Sequence, residues 1–165
     1  MFIRYLERLV DVRGLISDPW DLGGGVHLIR PGGRLNIHTD FPFHPQLRIW
    51  RKINVLVYLN EDWLDEWEGK LELWPPDLSR CAKSISPIFN RMVIFRTDNV
   101  SFHGHPSPLR TPSHVYRKSI ALYYYSSDLV SLPSDPHLLE NSHLLPTNFT
   151  DVSRSAIRAE VSARG

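Results

Sequence analysis

Apolar residues recur at three- and four-residue intervals at Phe2, Leu6, Leu9 and Val10, with Arg4, Glu7, Arg8 and Asp11 between them. This period predicts one short amphipathic helix at the N-terminus, packed against whatever follows. Asp18-Pro19-Trp20 and Gly23-Gly24-Gly25 then break the chain. Beyond them the period shortens to that of strands, in eight runs at residues 26–30, 34–38, 50–59, 70–74, 83–88, 91–96, 100–105 and 117–125, each bounded by Gly, Pro, Asn, Asp or Ser. Pro31-Gly32-Gly33 reads as a tight connection between the first two runs, and Phe89-Asn90 as a two-residue hairpin loop. Eight short, mostly antiparallel strands with turn-rich connections predict a mainly β, double-sheet jelly roll.

Two segments fall outside that pattern. Residues 60–69 form an acidic excursion in which Trp63 and Trp67, four apart, share one side of a helical turn and cover a core edge, with stacking on a substrate as the alternative. After Tyr125 the strand pattern ends, and Pro133, Pro136 and Pro146 punctuate an irregular C-terminal tail with one helical turn expected at 156–161. The expected organisation is one domain over residues 1–126, with its core at about 24–126, and a tail over 127–165 that is partly ordered or wraps the core.

Composition narrows the class. A chain of 165 residues, 42% hydrophobic and 22% charged, has the size and balance of one globular domain. A net charge of +1 without a long basic run argues against a nucleic-acid partner. Cys81 is alone, which excludes an intrachain disulfide and a cysteine-based zinc site and fits a reducing compartment. Charge is mixed into the N-terminal residues, and no apolar run is long enough to span a bilayer. The expectation is a cytoplasmic protein with no membrane partner, for which a homo-oligomer is compatible. Asn99-Val100-Ser101 and Asn148-Phe149-Thr150 match the glycosylation triplet but carry no weight in such a chain.

The chemistry begins at His38-Thr39-Asp40. On an extended backbone, residues two apart leave the same face, so one imidazole and one carboxylate stand side by side. They make up two thirds of the 2-His-1-carboxylate set that holds non-haem Fe(II) with open positions. In a jelly roll the second and seventh strands are antiparallel neighbours, so the end of run 34–38 meets the start of run 100–105. This favours His103 as third ligand, with His105, of the same strand parity, as the alternative. Gly104 between them would let a substrate or dioxygen approach closely. His27, His44, His114, His137 and His143 have no comparable partners.

Arg117 and Ser119 share a face at the start of the last run, and a planar guanidinium beside a hydroxyl outlines an anchor for a dicarboxylate. The competing reading pairs Arg117 with a surface carboxylate. Tyr58 could reach the same carboxylate, or pack in the core with its hydroxyl at the rim. Residues 41–52 directly follow the ligands, so Phe41, Phe43, His44, Arg48, Trp50 and Arg51 form a candidate substrate rim. Arg48 or Arg51 would there meet an acidic substrate.

Four stretches together resemble the Fe(II)- and 2-oxoglutarate-dependent oxygenases, in particular the prolyl-4-hydroxylase-like branch. They are His38-Thr39-Asp40-Phe41; Asn54 through Trp63 with Gly69-Lys70-Leu71-Glu72-Leu73-Trp74; Asn90-Arg91-Met92-Val93-Ile94-Phe95 through His103-Gly104-His105-Pro106; and Arg117-Lys118-Ser119 through Tyr125. The resemblance implies a cupin-like double-stranded β-helix and Fe(II) held by His38, Asp40 and His103. It also implies 2-oxoglutarate as co-substrate, bound by Arg117 with Ser119 and Tyr58, O2 as oxidant and ascorbate as a stimulant. It implies hydroxylation of an unactivated C–H bond in a peptidyl residue, an amino acid or a small metabolite, with release of succinate and CO2. Because Asp40 is present, hydroxylation is expected over halogenation. Family members often carry paired glycines where this chain has Glu68-Gly69-Lys70, and only one helix precedes Asp18, as in a minimal member or one relying on a partner. A non-catalytic metal- or ligand-binding jelly roll and a scaffolding domain are the alternatives. A roll that only binds metal has no need of the Arg117–Ser119 anchor.

Overall fold

The computed structural model describes residues 1–127 and 143–144. Helix α1 (Phe2–Val10) ends at Asp11, which adopts φ 52° and donates its N–H to Glu7 O. Among the described residues no helix is long and apolar enough to cross a membrane. Eleven short strands follow among the described residues: β1 (Ile16–Ser17), β2 (Gly25–Ile29), β3 (Leu35–Thr39), β4 (Phe43–His44), β5 (Ile49–Tyr58), β6 (Leu71–Trp74), β7 (Lys83–Ile85), β8 (Met92–Arg96), β9 (Phe102–His105), β10 (Arg117–Ser126) and β11 (His143–Leu144).

They form two antiparallel sheets. In the first, β10 and β5 lie side by side at the centre, flanked by β2 and β1 along the outer edge of β10 and by β8 and β4 along that of β5. The second runs β11-β3-β9-β6-β7. This is the mainly β jelly roll, the double-stranded β-helix, that the strand pattern predicts.

Period-two alternation along β5 and β10 decides what each face of the first sheet buries. Ile53, Val55 and Tyr124 turn outward and pack with Leu6, Val12 and Leu15, so α1 seals that face. Tyr58 turns the other way, against Leu71 and Val93 and between the two sheets. Asn54 shares its parity, as Arg117 and Ser119 share that of Ala121 and Tyr123. The polar residues of the site therefore sit on the inner face of an otherwise apolar sheet.

Two irregularities shift this alternation. In β5 the register moves from Tyr124↔Ile53 to Tyr125↔Arg51, so Lys52 is an extra residue and Arg51 changes face. In β3 the register moves from Leu35↔His105 to His38↔His103, again with one extra residue. Gly104 lies against that second bulge. A Cβ there would fall 2.6 Å from Asn36 O and 2.8 Å from Leu35 O. The glycine makes room for the neighbouring backbone, not for substrate or dioxygen.

Phe89-Asn90 is not a hairpin loop. β7 pairs with β6 in the second sheet and β8 with β5 in the first, so residues 86–91 cross between sheets. Pro87, fully buried and without an N–H, ends the strand run early. Asn60 pins the crossing by donating to Pro87 O at 2.6 Å and to Lys118 O at 3.0 Å while accepting Lys118 N–H at 2.6 Å. Trp63 is buried edge-on to Trp67, with centroids 5.5 Å apart, and covers a core edge. Of the tail, His143–Leu144 pairs with Thr39 and His38 of β3. The helical turn expected at 156–161 lies outside the described residues.

Candidate metal centre and co-substrate pocket

The antiparallel pairing of β3 with β9 sets His38 directly opposite His103, with ring centroids 4.5 Å apart. Asp40, one residue past the end of β3, completes a group whose ligand atoms all lie within 4.8 Å of one another. His38 Nε2 lies 3.5 Å from Asp40 Oδ1 and His103 Nε2 lies 3.3 Å from Asp40 Oδ2. Each ring holds its other nitrogen against the backbone, His38 Nδ1 at 2.8 Å from Asn36 O and His103 Nδ1 at 3.0 Å from Ser101 O. A carbonyl only accepts, so each Nδ1 carries the proton, and each Nε2 is the atom left to act. The two Nε2 atoms and the Asp40 carboxylate converge on one point, which is the donor set a divalent transition metal requires. His105 contributes no atom to this group.

The Asp40 carboxylate is itself held. Asn54 Nδ2 donates to Asp40 Oδ2 at 2.6 Å, and Asn54 Oδ1 accepts Arg51 Nε at 2.8 Å. Arg51 Nη2 lies 3.1 Å from the same Oδ2. The Arg51 guanidinium stacks 3.4 Å over Tyr123 and lies 4.9 Å from the centre of the Phe41 ring. Burial works against ionisation of Asp40, but its contacts with His103 and His38 and the charge of Arg51 outweigh it. They hold the carboxyl well below the usual carboxylate range.

Arg51 is therefore not a rim residue. At 3% exposure it braces Asp40 from within, because the β5 bulge turns it inward. Phe43 and His44 are buried as well, Phe43 edge-on to Trp50 at 5.3 Å and His44 donating to Asp18 Oδ1 at 3.2 Å. Of the remaining rim candidates, Phe41 and Trp50 are half-buried, and Arg48 is exposed in the β4–β5 turn with φ 55°. Trp50 and Arg51 border an open cleft of about 400 Å³ together with Pro42, Thr97 and Val100. Asn54 was missed by motif reasoning, although a lone amide inside the apolar run Ile53-Asn54-Val55-Leu56-Val57 was a readable signal.

At the other end of the inner face lies Arg117, 4% exposed. Its Nε donates to Gly69 O at 2.8 Å and its Nη2 donates to the Tyr58 hydroxyl at 3.4 Å. Burial lowers the Arg117 pKa and raises that of the Tyr58 phenol. Among the described residues no carboxylate pairs with Arg117. A desolvated guanidinium without an anion is costly, which weighs against the surface ion pair and for an anionic ligand. Ser119 is buried on the same face and stands across from Tyr58 in the β5–β10 register. A buried guanidinium with a phenol hydroxyl against it has the donors to hold a carboxylate.

The turn that presents Gly69 explains the departure at Glu68. Gly69 has φ 73°, and a Cβ there would lie 2.5 Å from Leu109 and 3.1 Å from Arg117. Glu68 itself adopts φ 62°, ψ −149°, a region that favours glycine, and its carbonyl accepts Trp63 Nε1–H at 3.2 Å.

Among solved structures, a prolyl 4-hydroxylase of Phytophthora capsici aligns with TM-score 0.54 at 23% identity, over 78% of this chain and 40% of that one. A Trichoplax adhaerens prolyl hydroxylase, solved with a hypoxia inducible factor oxygen degradation domain peptide fragment, aligns with TM-score 0.40 at 21% identity, over 75% of this chain and 56% of that one. The chain thus spans less than two thirds of either structure, and the first likeness shows a shared fold. No curated protein sequence matches. The family model described as the 2OG-Fe(II) oxygenase superfamily matches residues 24–125, from β2 through nearly all of β10. That match covers more than half of the sequence, and the chain therefore belongs to the 2OG-Fe(II) oxygenase superfamily.

Proposed function

We propose that this protein is an Fe(II)- and 2-oxoglutarate-dependent hydroxylase in which His38, Asp40 and His103 hold the metal and Arg117, with Tyr58 and Ser119, binds the co-substrate. The observation that carries this reading is a His–Asp–His donor set on one sheet together with a buried arginine on the other that pairs with no carboxylate among the described residues. When bound, Fe(II) and 2-oxoglutarate would supply the oxidising power: one atom of dioxygen would go into the succinate formed as the co-substrate loses CO2, and the other would enter a substrate C–H bond. The chain supplies placement. The Nδ1 contacts to Asn36 O and Ser101 O fix the ring tautomers, while Asn54 and Arg51 keep the Asp40 carboxylate ionised and aimed. The two sheets exclude water from the inner face.

Phe41, Arg48 and Trp50 are the residues proposed to meet the substrate, a peptidyl residue, a free amino acid or a small metabolite. A cytoplasmic setting fits the lone Cys81. The test is 2-oxoglutarate turnover across a panel of peptides, amino acids and metabolites, with mass detection of the product. A product heavier by one oxygen, formed together with succinate, is the expected result. Absence of turnover in the presence and absence of every candidate, with Fe(II) bound, would remove the hydroxylase reading.

A further inference from the structure

β9 carries a second inward histidine. β6 pairs with β9 so that Leu73 stands across from His103, and Leu71 and Leu73 both pack at the inner cluster around Tyr58. His105, two residues beyond His103, leaves the same inner face. It is 2% exposed, and neither of its ring nitrogens has a hydrogen-bond partner among the described residues. Buried polar atoms are rarely left so, and an orphaned pair is a mark of a missing ligand.

What surrounds His105 narrows that ligand. His105 shares the inner face of β9 with the ligand His103, and the charged groups acting on it are the Arg117 guanidinium and the His38 ring, one from the anchor and one from the metal group. A guanidinium only donates, so it offers no acceptor to an imidazole N–H. It also repels a second metal ion, which disfavours His105 as a ligand of its own cation site. An anionic group spanning from His38 toward Arg117 would satisfy both residues at once.

Resting on the co-substrate reading above, we propose that His105 is a further 2-oxoglutarate-binding residue, donating a hydrogen bond to the distal carboxylate that Arg117 holds. The pocket then recognises that carboxylate by the guanidinium from β10 and an imidazole from β9, so each sheet contributes a donor. The imidazole also favours 2-oxoglutarate over a 2-oxo acid lacking the distal carboxylate, which offers its N–H no acceptor and so gains nothing from it.

The test reads binding, not turnover. Anaerobic protein is loaded with Mn(II) and titrated calorimetrically with 2-oxoglutarate. His105→Leu is expected to weaken 2-oxoglutarate about 10- to 100-fold, as for loss of one hydrogen bond to a charged group, with Mn(II) affinity little changed. His105→Gln keeps a donor and recovers most of the loss. 2-Oxopentanoate, with a methyl group in place of the distal carboxylate, binds wild type and His105→Leu alike. Wild-type affinity for 2-oxoglutarate in His105→Leu overturns the assignment, as does an equal loss for 2-oxoglutarate and 2-oxopentanoate. Should His105→Leu fail to fold, His105→Met carries the same comparison. A wild type that binds Mn(II) but no 2-oxoglutarate is a different outcome and overturns the co-substrate reading itself.

Discussion

Replacing Asn54 by leucine removes the amide that links Asp40 to Arg51 while leaving the charge of the site unchanged. Two hydrogen bonds disappear, Asn54 Nδ2 to Asp40 Oδ2 at 2.6 Å and Arg51 Nε to Asn54 Oδ1 at 2.8 Å. Both involve a charged partner, and such bonds contribute about 1.5–3 kcal/mol each. Arg51 Nε is also left buried without an acceptor, so the apo protein is expected to lose about 3–5 kcal/mol of stability. The effect on the metal is separate. Asp40 keeps its place in the chain but loses its fixed orientation, and loss of such a supporting contact lowers metal affinity about 10- to 100-fold, or about 1.4–2.8 kcal/mol.

Mn(II) binding followed by the paramagnetic signal of the free ion reads the second effect, and melting with and without Mn(II) reads the first. Asn54→Ser, too short to bridge the two groups, serves where the leucine variant does not fold. A folded variant that binds Mn(II) with wild-type affinity would refute the argument that the Asn54–Arg51 pair positions Asp40.

Arg117→Met is expected to weaken 2-oxoglutarate by about 100-fold or more by removing the charge and fork together, with Mn(II) affinity nearly unchanged; an equal loss of both ligands in calorimetry would make Arg117 a support of the fold instead. Gly104→Ala should cost about 2–4 kcal/mol in denaturant unfolding, since its Cβ meets the backbone at Asn36 O and Leu35 O and not a pliable side chain. An unchanged midpoint would contradict the tight β3 bulge. Glu68→Gly relieves a positive-φ conformation and is expected to add about 1 kcal/mol of stability, the strain of about 1–3 kcal/mol being partly offset by glycine's chain entropy. A lower midpoint in that variant would show that the Glu68 turn is not strained.

The pairing of His38 with His103 was legible because it rests on two rules that the chain obeys: alternation within a strand, and antiparallel neighbours in a jelly roll. That Arg117 and Ser119 share a face followed from the same alternation. The errors lie where it breaks. A single inserted residue at Lys52 turns Arg51 from the rim to the inside, and nothing in the run Ile49-Trp50-Arg51-Lys52-Ile53 announces a bulge. Gly104 reads in sequence as an opening, although it answers a bulge in the partner strand β3, far back in the chain. Phe89-Asn90 has the composition of a hairpin turn, but buried Pro87 and the hold of Asn60 on its carbonyl send the chain into the other sheet. Strands of two residues, such as Phe43–His44, carry too few positions to show any period.

One pocket is proposed to hold both Fe(II) and 2-oxoglutarate. Anaerobic addition of Fe(II) and 2-oxoglutarate to the purified protein, followed by visible absorption, tests it directly. A metal-to-ligand charge-transfer band that requires both additions, and is lost in His38→Ala, is the predicted result. A wild-type protein that binds neither iron nor 2-oxoglutarate, and shows no such band, would contradict the account.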